Sequence, residues 1–427
     1  MSEFTQQLLV ESDGPAWLAP LRERGRARWT GTDRPTRKTE DWKYTSLQPL
    51  DRSFAPAPAD TSFDTAQLPD LGGPRLLFID GRLQGDTRTL DLPEGVKLVR
   101  FAEADAAQAD TIKAHLGSAI VSDRHVFASL NDATLNDGLF LHLSANAVMR
   151  EPLHIVYASS GAEPAFTVNQ RLLVVLDANA QGQLVEHYTG QAVAAFTNGI
   201  TELLLGPGAK LSHQRLHCEE AGAMHIGGLH ARLDRDSHLD SFHLALGSDL
   251  KRIDLVVHHA GSGAHCDLNG IYLLRGKEHV DYHSTIEHAV PHCTTDEVFR
   301  GVVGDEASAV FNGRIHIHPD AQKTRAELSN KNLLTSNNAE INTKPELEIY
   351  ADDVQCAHGA TVAQLDEGML HYLRTRGVHR DEAEVMLSYG FINELVENLD
   401  NEALRNFLHP LLAKRLSRDP ELIRHLT

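Results

Sequence analysis

From about Leu135 to Val362 the apolar positions fall into short alternating segments, among them LFLHL, LHIVYA, RLLVVL, LVEHY, ITELLL, LHARL and RIHIHP. Each segment is bounded by Gly, Asn, Asp or Ser, and the alternation has the period of two that half-buried strands require. A corner pattern recurs between them, as DANAQGQL, GPGAKL, DRDSHL and GSGAHC, ending on Leu184, Leu211, Leu239 and Cys266 at intervals of 27, 28 and 27 residues. Two positions before each ending stands a small residue, Gly182, Ala209, Ser237 or Ala264. DEASAV adds Ser308 and Val310 after an interval of 44, either one coil with an insertion or a coil and a fraction. A near-constant period with a small residue at a fixed corner is what stacked coils need, because each corner passes close over the last. The pattern predicts a mainly β chain with a parallel β-helix core over residues 135–365, and the strand-only stretch leaves no room for the crossover helices of a doubly wound sheet.

The flanks have another texture. Residues 1–53 read as a helical region whose Arg22, Arg24, Arg26 and Arg28 form a solvated face. Phe54–Pro74, rich in Pro, Ala, Asp and Gly, reads as a linker over residues 54–74. Residues 75–134 read as a mixed region, with a strand at Leu76–Leu83 and a helix around Ala104–Leu116. After Val362 the period becomes helical: Val385, Tyr389, Ile392, Val396 and Leu399 recur at helical spacing, as do Leu404, Phe407, Leu408 and Leu411. Gly377 is placed to end a helix over Asp366–Arg376, Asp400 to cap the last long helix and Pro410 to kink it. The expectation is a C-terminal helical domain over residues 366–427.

Charge and composition narrow the function. The 427-residue chain carries 40 Lys and Arg against 59 Asp and Glu, a formal charge of -19, which disfavours nucleic-acid binding. The N-terminal stretch has neither a basic segment with an apolar run nor the acid-poor composition of a transit peptide, and runs such as Leu172–Leu176 are too short to span a bilayer, so a cytoplasmic location without membrane contact is expected. Cys218, Cys266, Cys293 and Cys356 form no CxxC pair. No phosphate-binding loop, nucleophile elbow or cysteine-protease signature is present. With 25 histidines, chance HxH spacings are expected; His213, His217, His225, His230, His238 and His243 read as hydrogen-bonded or exposed rings, and His316 with His318 as structural.

One pair stands apart. In EIYADDVQCAHGATV, Glu348–Val362, Cys356 and His358 share one face of what reads as a strand running into a tight turn. Two ligands do not complete a zinc or iron site, so the pair is half of a site completed elsewhere or a small thiol beside a turn histidine.

Gly313–Gly377, with RKTEDWKYTSL at Arg37–Leu47 and GVHRDEAEVMLSYGFINEL near the C-terminus, closely resembles the SufD subunits of the SUF iron-sulfur cluster assembly machinery, partners of SufB and the ATPase SufC. SufB-type chains carry Glu-His-Glu-Ala-Thr where this chain reads Cys356-Ala357-His358-Gly359-Ala360-Thr361. The resemblance implies a right-handed parallel β-helix flanked by N-terminal and C-terminal helical domains, a non-catalytic scaffold subunit without enzyme activity. It implies pairing with SufB through the β-helix end and SufC docking on residues 366–427. It places His358 toward the SufB interface, binding a transient iron-sulfur cluster or iron shared with SufB, with Cys356 the weaker ligand. A homodimer is plausible for the isolated chain, because open solenoid ends leave strand edges to be paired. A carbohydrate-active β-helix enzyme or a self-contained metalloprotein is the alternative; the 6% aromatic content is low for a sugar-binding groove.

Overall fold

The computed structural model describes residues 8–9, 14–59, 61–120, 124–161, 163–191, 194–219 and 221–417. The extreme ends of the expected N-terminal region 1–53 and C-terminal domain 366–427 lie outside these residues. Two sheets alternate along the chain. The first runs Leu139–Leu143, Phe166–Leu176, Ala195–Leu205, Met224–Leu233, Leu250–His259, His279–His288, Ser308–Ile317 and Glu340–Ile349. The second runs Leu153–Ser159, Gln181–Gly190, Lys210–His217, His238–Leu246, His265–Leu274, Thr294–Val303, Arg325–Leu334 and Gln355–Gln364. Each strand pairs in parallel with the strand two further along, so every coil adds one strand to each sheet and about eight coils stack into a β-solenoid. The expected parallel β-helix is therefore the fold. Val96–Arg100, antiparallel to Leu139–Leu143, ends the first sheet, and the Arg75–Ile79/Arg82–Gln84 hairpin, whose first strand pairs in parallel with Leu153–Ser159, ends the second.

The corners explain the sequence period and correct one part of it. Ala180, Ala209, Ser237, Ala264, Cys293 and Thr324 form a buried column, and the carbonyl of each accepts a hydrogen bond from the next coil's backbone N–H. Stacked corners leave no space there for a larger side chain. Leu211, Leu239 and Cys266 align as expected, but Leu184 does not: Leu211 faces Gly182, and Leu184 faces His213, two residues further. The small corner residue of that coil is Ala180 rather than Gly182, a slip that local pattern alone invites because both residues are small. Ser308 opens a strand of the first sheet, opposite His279, so the interval of 44 is a coil and a fraction, not an insertion.

Inside the solenoid, glycine lets one coil reach through another. Tyr272, Gly301 and Asn332 occupy one inward column, and the Tyr272 hydroxyl donates past Gly301 to Asn332 Oδ1. A methyl at Gly301 would lie 2.1 Å from Tyr272 Cε2 and 2.5 Å from Asn332 Oδ1. Gly301→Ala is expected to cost roughly 1–3 kcal/mol through overpacking, read as a lower urea midpoint with unchanged secondary structure.

The helical regions cover opposite outer faces. On the first sheet, Phe127 and Leu130 of the helix Val126–Thr134 pack with Trp29, Trp42, Phe196, Met224 and Leu250. The helix Ala19–Gly31 approaches so closely at Gly25 that a Cβ there would lie 2.5 Å from the Ala133 nitrogen. The stretch read as a linker, Phe54–Pro74, lies against the solenoid: Ala55–Pro56 pairs with Phe166–Thr167, and Leu68 and Leu71 are buried. The helix expected around Ala104–Leu116 spans Ala106–His115, opened by a capping box between Asp105 and Gln108. On the second sheet, Ile392, Val396, Leu404, Leu408 and Leu412 of the helices Arg380–Glu397 and Glu402–Leu416 cover Phe242, Leu244, Ile271 and Leu273. Gly377 follows the helix Glu367–Thr375 with a φ of 90°, as expected, whereas the cap of the last helix is Asn401, whose side chain accepts from the Leu404 N–H, and not Asp400. That helix continues through Pro410. Among the described residues, no helix is long and apolar enough to cross a membrane.

Candidate functional site

Cys356 and His358 lie on Gln355–Gln364, the last strand of the second sheet, which follows the corner Tyr350–Val354 instead of running into one. The tight turn read after the pair is therefore a corner before it. Parallel register continues the inner columns of the solenoid. Cys356 sits over Ala326, Thr295 and Cys266, and His358 over Leu328, Glu297 and Leu268. The residues beneath are buried, yet His358 is exposed and Cys356 half-buried, because no coil stacks above them. An inward position becomes a surface position only at an end, so the pair lines the mouth of the lumen. Across the mouth, Ile341, Thr343 and Leu347 continue the inner face of the first sheet over Ala309, Phe311 and Ile315. Thr343 donates to Asn330 Oδ1 at 2.8 Å.

The rim is unpaired and carries exposed apolar side chains. Glu340–Ile349 and Gln355–Gln364 end their sheets with one edge open each. Ile349, Val362, Met369 and Tyr372 are exposed, and Tyr350 reaches 62%. Exposed edge strands carrying apolar side chains are surfaces that proteins cover by pairing. The RKTEDWKYTSL segment braces the same end from outside: Arg252 lies 4.6 Å over the Trp42 ring and donates to the Asp41 carbonyl, Thr45 donates to Asp281, and Glu40 pairs with Lys344 of the last coil.

Burial pushes the Cys356 thiol up, against a smaller opposing hydrogen bond from the Ala326 backbone, so the thiol is protonated at neutral pH until a metal displaces the proton. Among the described residues, four clusters bring three His, Cys, Asp or Glu ligand atoms within 4.8 Å of one another, and neither Cys356 nor His358 belongs to one. As built, the mouth offers two donors and an open coordination sphere.

His316 and His318 form a different arrangement. Both hydrogen-bond Glu287 Oε2, at 2.6 and 2.9 Å, and Arg314 bridges Glu287 and Glu348. Burial raises the Glu287 carboxyl, but Arg314 and the two imidazoles outweigh it and hold it at about 2. A guanidinium already fills the place of a cation, so this cluster is an ion-pair network. Of the other histidines, His213, His225, His238 and His243 are hydrogen-bonded as expected, whereas His217 is buried with neither ring nitrogen partnered and His230 is buried with Nδ1 unpartnered. Strand alternation signalled shared faces, but not that His213, His217, His225 and His243 point inside the solenoid while His230 lies on the outer face against His125.

Residues 157–391 match the family described as SUF system FeS cluster assembly, SufBD core domain, and residues 4–155 match the SufBD protein N-terminal region. The chain belongs to the SufBD family of iron-sulfur cluster assembly proteins. Within that family it is SufD-like. It is 30% identical to the iron-sulfur cluster assembly protein SufD of Escherichia coli over 90% of both chains. An iron-sulfur cluster assembly SufBD family protein of Synechocystis is also 30% identical, over 97% of this chain and 95% of its own length. SufD of Bacillus subtilis is 25% identical over 97% of each. For a SufBD chain, the solenoid with helices at both termini is thus the setting of the Cys356/His358 mouth.

Proposed function

We propose that this chain is a non-catalytic scaffold subunit that pairs with SufB through the open solenoid end and contributes His358, with Cys356 as the secondary ligand, to an iron or iron-sulfur cluster shared across that junction. The observation that carries this reading is the placement of both donors on inward columns at an uncapped end. A partner solenoid continuing those columns would cover them and supply the missing ligands in the same act. Imidazole and thiolate both suit iron, and two donors per chain become a full site only when a second chain adds its own. The open edges and the apolar side chains of the rim supply backbone pairing and burial for the docking. The same edges would let the isolated chain pair with a second copy of itself.

The SufC ATPase would dock on the helices of residues 366–427, whose first member, Glu367–Thr375, follows directly from the strand bearing His358. Nucleotide-driven motion there would reach the mouth through that connection. Deleting residues 366–427 is expected to abolish SufC binding.

The test is anaerobic co-purification with SufB and SufC, followed by iron and sulfide quantification. The His358→Ala complex is expected to assemble normally and lose most of its iron and sulfide, with a smaller loss for Cys356→Ala. Undiminished iron in an assembled His358→Ala complex would overturn the shared site and leave the chain a docking platform.

A further inference from the structure

Deep in the lumen, where Lys210–His217 ends and Met224–Leu233 begins, His217, Glu219 and His225 converge. His225 Nδ1 lies 3.0 Å from Glu219 Oε1, and His217 Nδ1 lies 3.8 Å from Glu219 Oε2. The two imidazole planes are perpendicular, with ring centroids 4.4 Å apart, and His217 stacks on Tyr188 at 4.8 Å. Both histidines are completely buried, and Glu219 is 8% exposed. The cluster also gathers unsatisfied polar atoms: both nitrogens of His217, Nε2 of His225 and Oε2 of Glu219 have no hydrogen-bond partner. Leaving such atoms unpaired costs about 1–3 kcal/mol each, so their concentration at one point marks a place built around something.

We propose that His217, Glu219 and His225 form a mononuclear site for a first-row divalent cation of the Fe(II) or Zn(II) class. Two imidazoles and one carboxylate are a facial ligand set that leaves positions open on such an ion. Donors each about 2.1 Å from one ion and at right to tetrahedral angles lie about 3.0–3.4 Å from one another. The His225 Nδ1–Glu219 Oε1 spacing of 3.0 Å falls in that range, His217 Nδ1 lies 3.8 Å from the other carboxylate oxygen, and one ligand atom of each residue lies within 4.8 Å of the other two, so small side-chain rotations close the site. On binding, the ion displaces the proton by which His225 Nδ1 donates to the Glu219 carboxylate.

Lys251 is the opposing charge. Its ammonium donates to the Glu219 and Leu246 carbonyls and stands 3.6 Å from Glu219 Oε2, beside the carboxylate without bridging the donors. The site is five coils from the open end, roughly 24 Å at the usual strand spacing, and does not depend on pairing with SufB. The buried His259, His288 and Cys293 cluster is less suited: its imidazoles are stacked within 9° of parallel, and Nε2 of each is already taken by the Thr295 hydroxyl.

The test uses the purified full-length chain under anaerobic conditions, with Cys356→Ser and His358→Ala in the background to silence the mouth. Titration with Co(II) is expected to give one ion per chain, visible d–d bands and no thiolate charge-transfer band, and Fe(II) and Zn(II) are expected to displace it. His217→Phe keeps the stack on Tyr188 while deleting the two unpartnered nitrogens. It is expected to fold with an unchanged or higher unfolding midpoint and to bind Co(II) at least about tenfold more weakly. Should it lose its fold, Glu219→Gln carries the same comparison. No stoichiometric binding in the background chain, equal binding by the folded variant, or a thiolate band placing the ion on cysteine would each overturn the proposal.

Discussion

Glu297→Leu is expected to stabilise the chain increasingly as the pH rises, with the gap over wild type widening by about 3 kcal/mol between pH 4.5 and pH 8. Glu297 occupies the inward column between Leu268 and Leu328, two coils beneath His358, and is 1% exposed. Neither carboxyl oxygen has a hydrogen-bond partner; the Ser284 hydroxyl across the lumen only tempers the effect of burial, which pushes the carboxyl from 4.5 up to about 7. The sign follows from proton counts. Below pH 4.5 the group is protonated in folded and unfolded chain alike. Between 4.5 and about 7 the folded chain holds a proton that the unfolded chain has released, so stability falls as pH rises, and above about 7 the loss levels off. A shift of about 2.5 units at 1.36 kcal/mol per unit gives the stated size. Leucine matches the apolar neighbours and has nothing to ionise. Urea unfolding of both chains at pH 4.5, 6 and 8 measures the gap; a constant gap would mean that Glu297 titrates normally in the folded state.

Arg171→Met is expected to destabilise the chain by about 3–5 kcal/mol, the usual consequence of stranding buried charges. The Arg171 guanidinium is inaccessible and bonds Glu202 Oε1 at 2.7 Å, Asp132 Oδ1 at 3.0 Å and Asn131 Oδ1 at 2.9 Å. Glu202 in turn accepts the backbone N–H groups of Gly117 and Ala119. One cation thus ties two solenoid strands to the helix Val126–Thr134 and to the segment after the helix Ala106–His115. With methionine there, Glu202 loses the guanidinium that bonds it, and Asp132 keeps only the weaker influence of Arg28 and Arg24. Hydrogen exchange should accelerate at Gly117, Ala119 and the helix Ala19–Gly31 that packs on Val126–Thr134, while the coils near His358 keep their protection. Uniform acceleration along the solenoid would instead make Arg171 part of the general core.

Local chemistry wrote several elements directly into the chain. The helix around Ala104–Leu116, the glycine, Gly377, that ends the helix before it and the helical periods of residues 385–399 and 404–411 depend on neighbours within a few positions, and the structure reproduces them. The coil period was equally readable wherever the corner residue is small and the flanking strand alternates. It faltered at Leu184, where two small residues in one corner allow two registers, and only the hydrogen bond from the Lys210 N–H to the Ala180 carbonyl separates them. Ala195–Leu205 shows a second limit: every residue is buried, since one face lines the lumen and the other meets the N-terminal region, so alternation carries no directional information there.

The candidate chemistry divides along the same line. The sequence by itself determined that Cys356 and His358 share a strand face, that the chain is a stack of β coils, and that its net charge is strongly acidic. Only the tertiary structure decided that this shared face is an inward column left uncovered at an end, and that His217, Glu219 and His225 meet beside Lys251. The reason is physical. Side-chain direction along one strand follows from the backbone pleat, a local property, whereas the contents of a coil's interior depend on which residues the coils above and below place in the same column, and corners of unequal length fix that register through hydrogen bonds between residues some thirty positions apart.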